Sequence, residues 1–264
     1  MRSHPTILVF DSGLGGLTVL REIVRARPDA NVVYVADDVF FPYGRHSESE
    51  IISRVVPVIG ELIAAHAPDL VVIACYTAST LVMGHLRRAY SVPFVGTVPA
   101  IKPACARSQT KRISVLATPG TVKREYTQAL IRDFAAACEV TLVGSPNLAA
   151  QAEATLGGAT IADDDLLTEI APCFVDDGMT RTDSVVLACT HYPLLVERFR
   201  ALAPWPVTWI DPAPEIARRV VDLLAARAPE EADGTVRFGY TSGRPPTAEL
   251  LTVLPPFFGG RAPL

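Results

Sequence analysis

The chain has 264 residues, a formal charge of −4, and 49% hydrophobic against 20% charged residues. That is enough for one large α/β domain or two smaller ones whose cores need no staples, and it offers no general basic field, so nucleic acid is not an expected partner. No apolar run approaches the roughly 20 residues of a membrane span, and the apolar run near the N-terminus is too short for a secretory signal.

Short apolar runs alternate with longer amphipathic ones. "TILVF" (6–10) predicts a strand, and "GLTVLREIVRARP" (16–28) a helix that stops at Pro28. "NVVYVAD" (31–37) is a second strand. "SESEIISRVVPVIGELIAAHAP" (47–68) is a long helix with acidic residues in its first turn, which suits the helix dipole, and with Pro57 marking a kink. "LVVIAC" (70–75) is a strand, "STLVMGHLRRAY" (79–90) a helix and "FVGTV" (94–98) a strand. A second series repeats the scheme: strand "RISVLAT" (112–118), helix "GTVKREYTQALIRDFAAA" (120–137), strand "EVTLVG" (139–144) and strand "SVVLAC" (184–189). Short strands rich in Val and Ile, alternating with helices, predict βαβ units in parallel sheets.

The expected fold is therefore α/β, with two similar domains of mainly parallel sheets flanked by helices. One domain comprises residues 1–98 plus 211–264, with the tail returning to it, and the other residues 99–210. In open α/β sheets ligands bind outside the carboxyl ends of the strands. Asp11, Asp37, Cys75, Thr118 and Cys189 all fall at such ends. Facing halves would bring both cysteines to one central cleft.

The five cysteines form no CxxC pair and no zinc-spaced cluster, so no metal site is expected. An odd number, with no secretory signature, points to free thiols in a reducing, cytoplasmic compartment. A lone Cys at a strand end is most often core. Cys105, Cys138 and Cys173 fit that reading. Cys75 and Cys189 do not, because "VVIACYTAST" and "VVLACTHYPLL" place the same Ala-Cys at two strand ends, each followed by polar residues.

Two thiols on opposite sides of one carbon suit stereoinversion. One thiolate takes the α-proton and the other thiol returns a proton to the opposite face. A reference pKa of about 8.5 makes both protonation states accessible near neutrality. Helix N-termini following each cysteine would lower a thiol's pKa and stabilise a carbanion-like transition state. Asp11 and His191 are the candidate partners of the thiols.

"DSGLGG" (11–16) follows a strand and precedes a helix but lacks the spacing of a dinucleotide or P-loop motif. Its glycines fit a tight turn, and the helix N-terminus with Ser12 could hold a carboxylate. "FPYGR" (41–45) is turn-forming by composition.

Taken together, "DSGLGGLTVLREI", "ADDVFFPYGRHSESEI", "IACYTAST", "GTVPAIKPA", "ATPGTVKREY", "ACTHYPLL" and "YTSG" resemble, in order, the glutamate racemases. The resemblance implies two α/β domains with the active site between them. It implies racemisation of glutamate for peptidoglycan synthesis with no metal, pyridoxal phosphate or nucleotide, and a homodimer. Cys75 and Cys189 match the catalytic acid/base pair, assisted by Asp11 and His191. Ser12, Pro42, Tyr43, Gly44, Thr77, Thr118, Thr121 and Thr190 match substrate-pocket positions. Glu153 is set against a family acidic residue near the substrate.

One residue departs from the pattern. The family has Asn-Thr after the first cysteine, and this chain has Tyr76-Thr77. Tyrosine offers one O–H donor in place of a compact amide, and a larger ring. Loss of such a hydrogen bond to a charged substrate group costs roughly 1.5–3 kcal/mol, about ten- to a hundredfold in affinity. The alternatives carried forward are a racemase of another small amino acid such as aspartate, and an impaired paralogue with a binding or regulatory role, for which DNA gyrase is the implied partner.

Overall fold

The computed structural model describes residues 4–225 and 233–263. The expected domain ranges also take in residues 1–3, 226–232 and 264, which lie outside the described residues. Two compact units are present: Met1–Thr97 with Ala213–Leu264, and Val98–Pro212.

The first unit opens with β1 (Thr6–Asp11), α1 (Leu17–Ala26), β2 (Asn31–Ala36), α2 (Glu48–His66), β3 (Leu70–Ile73), α3 (Tyr76–Ala89) and β4 (Phe94–Gly96). The apolar strands are buried almost throughout, as a parallel sheet covered on both faces demands. A capping box starts α2: the Glu50 amide donates to Ser47 Oγ, and the Ser47 amide donates to the Glu50 carboxylate. The helix then runs unbroken through Pro57. Its inner face (Ile51, Val55, Val58, Ile59) packs into one cluster with Leu8, Phe10, Val71, Ile73 and Val82.

The second unit contains α4 (Ile101–Arg107), β5 (Arg112–Ala117), α5 (Pro119–Lys123), α6 (Glu125–Phe134), β6 (Glu139–Gly144), α7 (Leu148–Leu156), α8 (Asp163–Ile170), β7 (Ser184–Ala188), α9 (Val196–Leu202) and β8 (Thr208–Ile210). Its core joins Leu116, Val143, Leu148, Leu166, Leu187, Phe199 and Trp209. The chain then returns to the first unit as α10 (Ala213–Leu224), β9 (Val236–Tyr240) and α11 (Ala248–Val253). There β9 pairs in parallel with β2, from Val32↔Val236 to Ala36↔Tyr240.

Both sheets are wholly parallel. Their strand orders are β4-β3-β1-β2-β9 and β6-β5-β7-β8. Read from the other edge, the second is β8-β7-β5-β6, so it repeats the first four strands of the first sheet one for one. The two units are similar, as the duplicated Ala-Cys strands led us to expect. In each, the winding reverses beside the first strand, between β1 and β3 and between β5 and β7. That reversal is the switch point at which α/β sheets open a crevice for ligands.

Four details depart from the sequence reading. The helix expected from Ser79 begins at Tyr76, because Cys75 is extended (φ −70°, ψ 120°) and acts as its N-cap. The helix expected over 120–137 is two, since Arg124 is extended (ψ 139°). Side chains seal the break: Thr127 Oγ1 donates to the Thr121 carbonyl at 2.7 Å, and Gln128 Nε2 to that of Val122 at 3.5 Å. No α-helix starts directly after Cys189; a 3-10 turn (Tyr192–Leu195) precedes α9, with Pro193 inside it. Finally, the cysteines are not all free. Cys105 and Cys138 form a disulfide, leaving Cys75, Cys173 and Cys189 as buried thiols. Folding brings the last turn of α4 beside the entry to β6, an approach across 33 residues that no local spacing announces.

Candidate active site

The first thiol stands at the switch point of the first sheet. Phe10 and Ile73 are register partners on β1 and β3. Two residues further along each strand, Ser12 and Cys75 face one another, and the Cys75 thiol donates to Ser12 Oγ at 3.5 Å. Asp11 ends β1, is fully buried, and accepts from the Gly13 amide at 3.1 Å. The chain turns tightly here because α1 must pass over the strand ends. A Cβ on Gly16 would lie 2.7 Å from Asp11 Cβ and 3.1 Å from Ala74 Cβ, so only glycine fits.

Hydroxyls after Cys75 lock this elbow. Ser79 Oγ donates to the Ile73 carbonyl at 2.8 Å and accepts from the Thr97 amide at 3.0 Å. Thr97 Oγ1 donates to the Ala74 carbonyl at 3.0 Å. The last carbonyls before the thiol are thereby fixed. The thiol itself sits at the positive end of a 14-residue helix, a setting that favours thiolate.

The second thiol stands at the matching place in the second sheet. Ala117 and Ala188 are register partners, so Thr118 and Cys189 follow side by side. Thr118 caps α5 by accepting from the Thr121 amide, and the two hydroxyls lie 3.0 Å apart. Cys189 has no long helix behind it. It has His191 instead, with Nδ1 3.8 Å from Sγ and 3.4 Å from Thr190 Oγ1. The other ring nitrogen donates to Glu153 Oε2 at 2.6 Å. Burial opposes charge on this imidazole. The hydrogen bonds to Cys189 and Glu153, and the charges of those groups, outweigh burial and hold its pKa well above the usual value. A cationic His191 thus stands beside the Cys189 Sγ, as the helix end stands beside Cys75.

Tyr43 is buried, and its hydroxyl donates to Asp37 Oδ2 at 2.7 Å. Burial first, then the charges of Asp37, Cys75 and Asp11, push its pKa well up, so it remains a neutral donor. Pro42, joined to Phe41 by a cis peptide bond, precedes Tyr43 and is half-buried, and exposed Gly44 follows it.

The sequence-derived candidates thus fall into two sets. The first unit gathers Asp11, Ser12, Tyr43, Cys75, Tyr76 and Thr77, all buried, with Pro42 and Gly44 on the loop. The second gathers Thr118, Thr121, Cys189, Thr190 and His191, all buried, with Glu153 half-buried. Tyr76 is 3% exposed, as the first residue of α3. Sequence reasoning missed Arg54 and Thr241, which bind the Asp37 carboxylate from 17 and 204 residues away. Only the tail motif "YTSG" hinted at the second. Among the described residues no cluster of three or more His, Cys, Asp or Glu could hold a metal ion, and no helix is long and apolar enough to cross a membrane.

Comparison with known proteins defines the class. A family model described as Asp/Glu/Hydantoin racemase matches residues 7–220, and the chain belongs to that family of isomerases. The glutamate racemase of Brucella ovis is 58% identical over 226 residues, 85% of this chain and 82% of that protein. The Escherichia coli glutamate racemase, solved with L-glutamate and the activator UDP-MurNAc-ala, superposes with a TM-score of 0.87 at 39% identity, covering 96% of this chain and 95% of that one. Glutamate racemase isoform RacE1 of Bacillus anthracis gives 0.83 at 26% identity, covering 99% and 97%. The chain thus stands with the glutamate racemases.

Proposed function

We propose that the protein interconverts L- and D-glutamate without a cofactor, using Cys75 and Cys189 as the two acid/base groups, and so supplies D-glutamate for peptidoglycan in the cytoplasm. The observation that carries this reading is the repeated placement of one buried free thiol at the switch point of each sheet, each beside its own source of positive potential. The relatives named above support glutamate as the substrate.

In the proposed reaction one thiolate removes the α-proton of glutamate and becomes a thiol. The electron pair delocalises toward the substrate carboxylate. The other thiol, on the opposite face, gives its proton to the α-carbon and becomes a thiolate. The product is inverted, and the two sulfurs have exchanged protonation states. The chemistry requires both thiols to reach one α-carbon. Backbone amides at the start of α3, with Ser12, Thr77, Thr118 and Thr121, supply donors for the substrate's carboxylates. Asp11 and His191 assist Cys75 and Cys189 respectively, and Glu153 holds His191 in its cationic form. Tyr43, Pro42, Gly44 and Thr190 complete the pocket.

Circular dichroism of purified protein with L-glutamate, D-glutamate and the aspartate enantiomers, with no added cofactor, tests the proposal. Loss of optical activity from both glutamate enantiomers is the expected result. No change with either, from folded protein, would overturn it. A second reading, in which the substrate is the shorter aspartate, is favoured by one observation: the Tyr76 ring is buried directly after Cys75, where the family has a smaller Asn. Loss of signal with aspartate alone would select it.

A further inference from the structure

The Asp37 carboxylate is fully buried and accepts four hydrogen bonds from three residues, 6, 17 and 204 positions away. Tyr43 Oη donates to Oδ2 at 2.7 Å. Arg54, on α2, donates from Nε to Oδ2 at 3.1 Å and from Nη2 to Oδ1 at 2.6 Å. Thr241, just past β9, donates from Oγ1 to Oδ1 at 2.6 Å. The Asp37 amide donates to the carbonyl of Asp11 at 2.9 Å, which ties the carboxylate's backbone to the end of β1. A buried carboxylate held bidentately by a guanidinium and closed by a hydroxyl is a rigid anchor. The group it anchors on its remaining side is the Tyr43 hydroxyl. Tyr43 opens the short turn Tyr43–Arg45 that follows the cis Phe41–Pro42 bond. Fixing Tyr43 therefore fixes Pro42 and Gly44.

We propose that Arg54 and Thr241 are positioning residues for the reaction, acting through Asp37 to hold Tyr43 and the Pro42–Gly44 turn where the substrate binds. The assignment rests on the reading above, in which that turn belongs to the substrate pocket. Thr241 Oγ1 also lies 3.4 Å from Asp38 Oδ1, where a second set of ties gathers. Ser242 Oγ donates to Asp38 Oδ2 at 2.7 Å, and Arg244 Nε to the same oxygen at 2.8 Å, at the exposed rim.

The effect belongs in substrate binding and not in proton transfer, because neither residue adjoins a thiol in the sequence or in the hydrogen-bond network. The test measures KM and kcat for both glutamate enantiomers in Thr241→Val, Arg54→Gln, Tyr43→Phe and the two double variants. Thr241→Val keeps the shape of the side chain and leaves Arg54 to neutralise Asp37, so it serves if Arg54→Gln does not fold. Each single variant should raise KM for both enantiomers, by about threefold or more for a lost bond to a charged group of which only part reaches the substrate, with kcat changed less than twofold. In the Tyr43→Phe background neither substitution should raise KM further, since both act through that hydroxyl. Ser242→Ala, which removes a hydroxyl bonded to Asp38 and to the Arg244 amide but not to Asp37, should match the parent. A lower Tm with unchanged KM, or KM effects that multiply in the Tyr43→Phe background, would overturn the proposal. A parent protein that leaves both glutamate enantiomers unchanged would instead overturn the reading on which it rests.

Discussion

Each thiol has a different electrostatic support, and single substitutions separate them. Cys75 relies on the start of α3 and on Ser12, whereas Cys189 relies on His191. Cys75→Ser and Cys189→Ser should each cut kcat/KM by at least the 10²–10⁴-fold typical of a lost acid/base group. The loss must be equal for the two enantiomers, because a racemisation has an equilibrium constant of one; full rate in either variant would refute the pairing. His191→Gln should lower kcat/KM by about 10²-fold, and should also change the pH dependence of stability. The raised imidazole pKa means that its bond to Glu153 contributes fully below the unfolded value of about 6.5 and is lost as pH rises through the folded value. Urea denaturation should therefore show the parent's advantage over His191→Gln largest below about pH 6.5 and shrinking above it. Tyr76→Asn should raise kcat/KM for glutamate about ten- to a hundredfold if the amide contacts a charged group of the substrate. An unchanged value would mean that the ring does not obstruct the site.

At the scale of elements, the strands were legible because buried parallel strands read as apolar runs, and all seven predicted ones are present. What followed the strands was not. The start of α3 at Tyr76 depends on Cys75 being extended, and on Ser79 and Thr97 bonding to the strand carbonyls. The Ser79 bond spans 6 residues, but those made by Thr97 tie positions 18 and 23 apart in the sequence. The split at Arg124 and the 3-10 turn after Cys189 depend likewise on side chains capping carbonyls and on Pro193. The glycine-rich turn after β1 was expected from composition, but the close approach of Gly16 to Asp11 and Ala74 was not. Gly16→Ala should cost about 1–3 kcal/mol, as overpacking does, with a lower Tm and reduced activity. An unchanged Tm would show that the α1 turn is looser than these distances imply.

For the whole molecule, the duplicated Ala-Cys strand was the most informative feature, because a repeated sequence event at matching strand ends implies a repeated fold. The two sheets share one strand order, with β9 added to the first. The site divides in the same way. The thiols, Asp11 and His191 could be read from residue type and place, and Ser12 from its place at the start of the α1 turn. The candidate substrate-binding threonines, Tyr43 and Glu153 came only from family resemblance. The Arg54 side of the Asp37 anchor and the Cys105–Cys138 disulfide were invisible, since each is closed by chain segments that meet only on folding. The disulfide also corrects the expectation that all five cysteines are free thiols, which holds for Cys75, Cys173 and Cys189 alone.

The central claim is that two different groups handle the proton on the two faces of one carbon. It is tested most directly by running the reaction in deuterium oxide from L-glutamate, and separately from D-glutamate, and analysing each enantiomer at low conversion. A two-thiol mechanism predicts deuterium at the α-carbon of the product enantiomer, while the unreacted substrate keeps its hydrogen. Deuterium appearing equally in recovered substrate and product, or product that retains the original hydrogen, would show a single base serving both faces and would contradict the account.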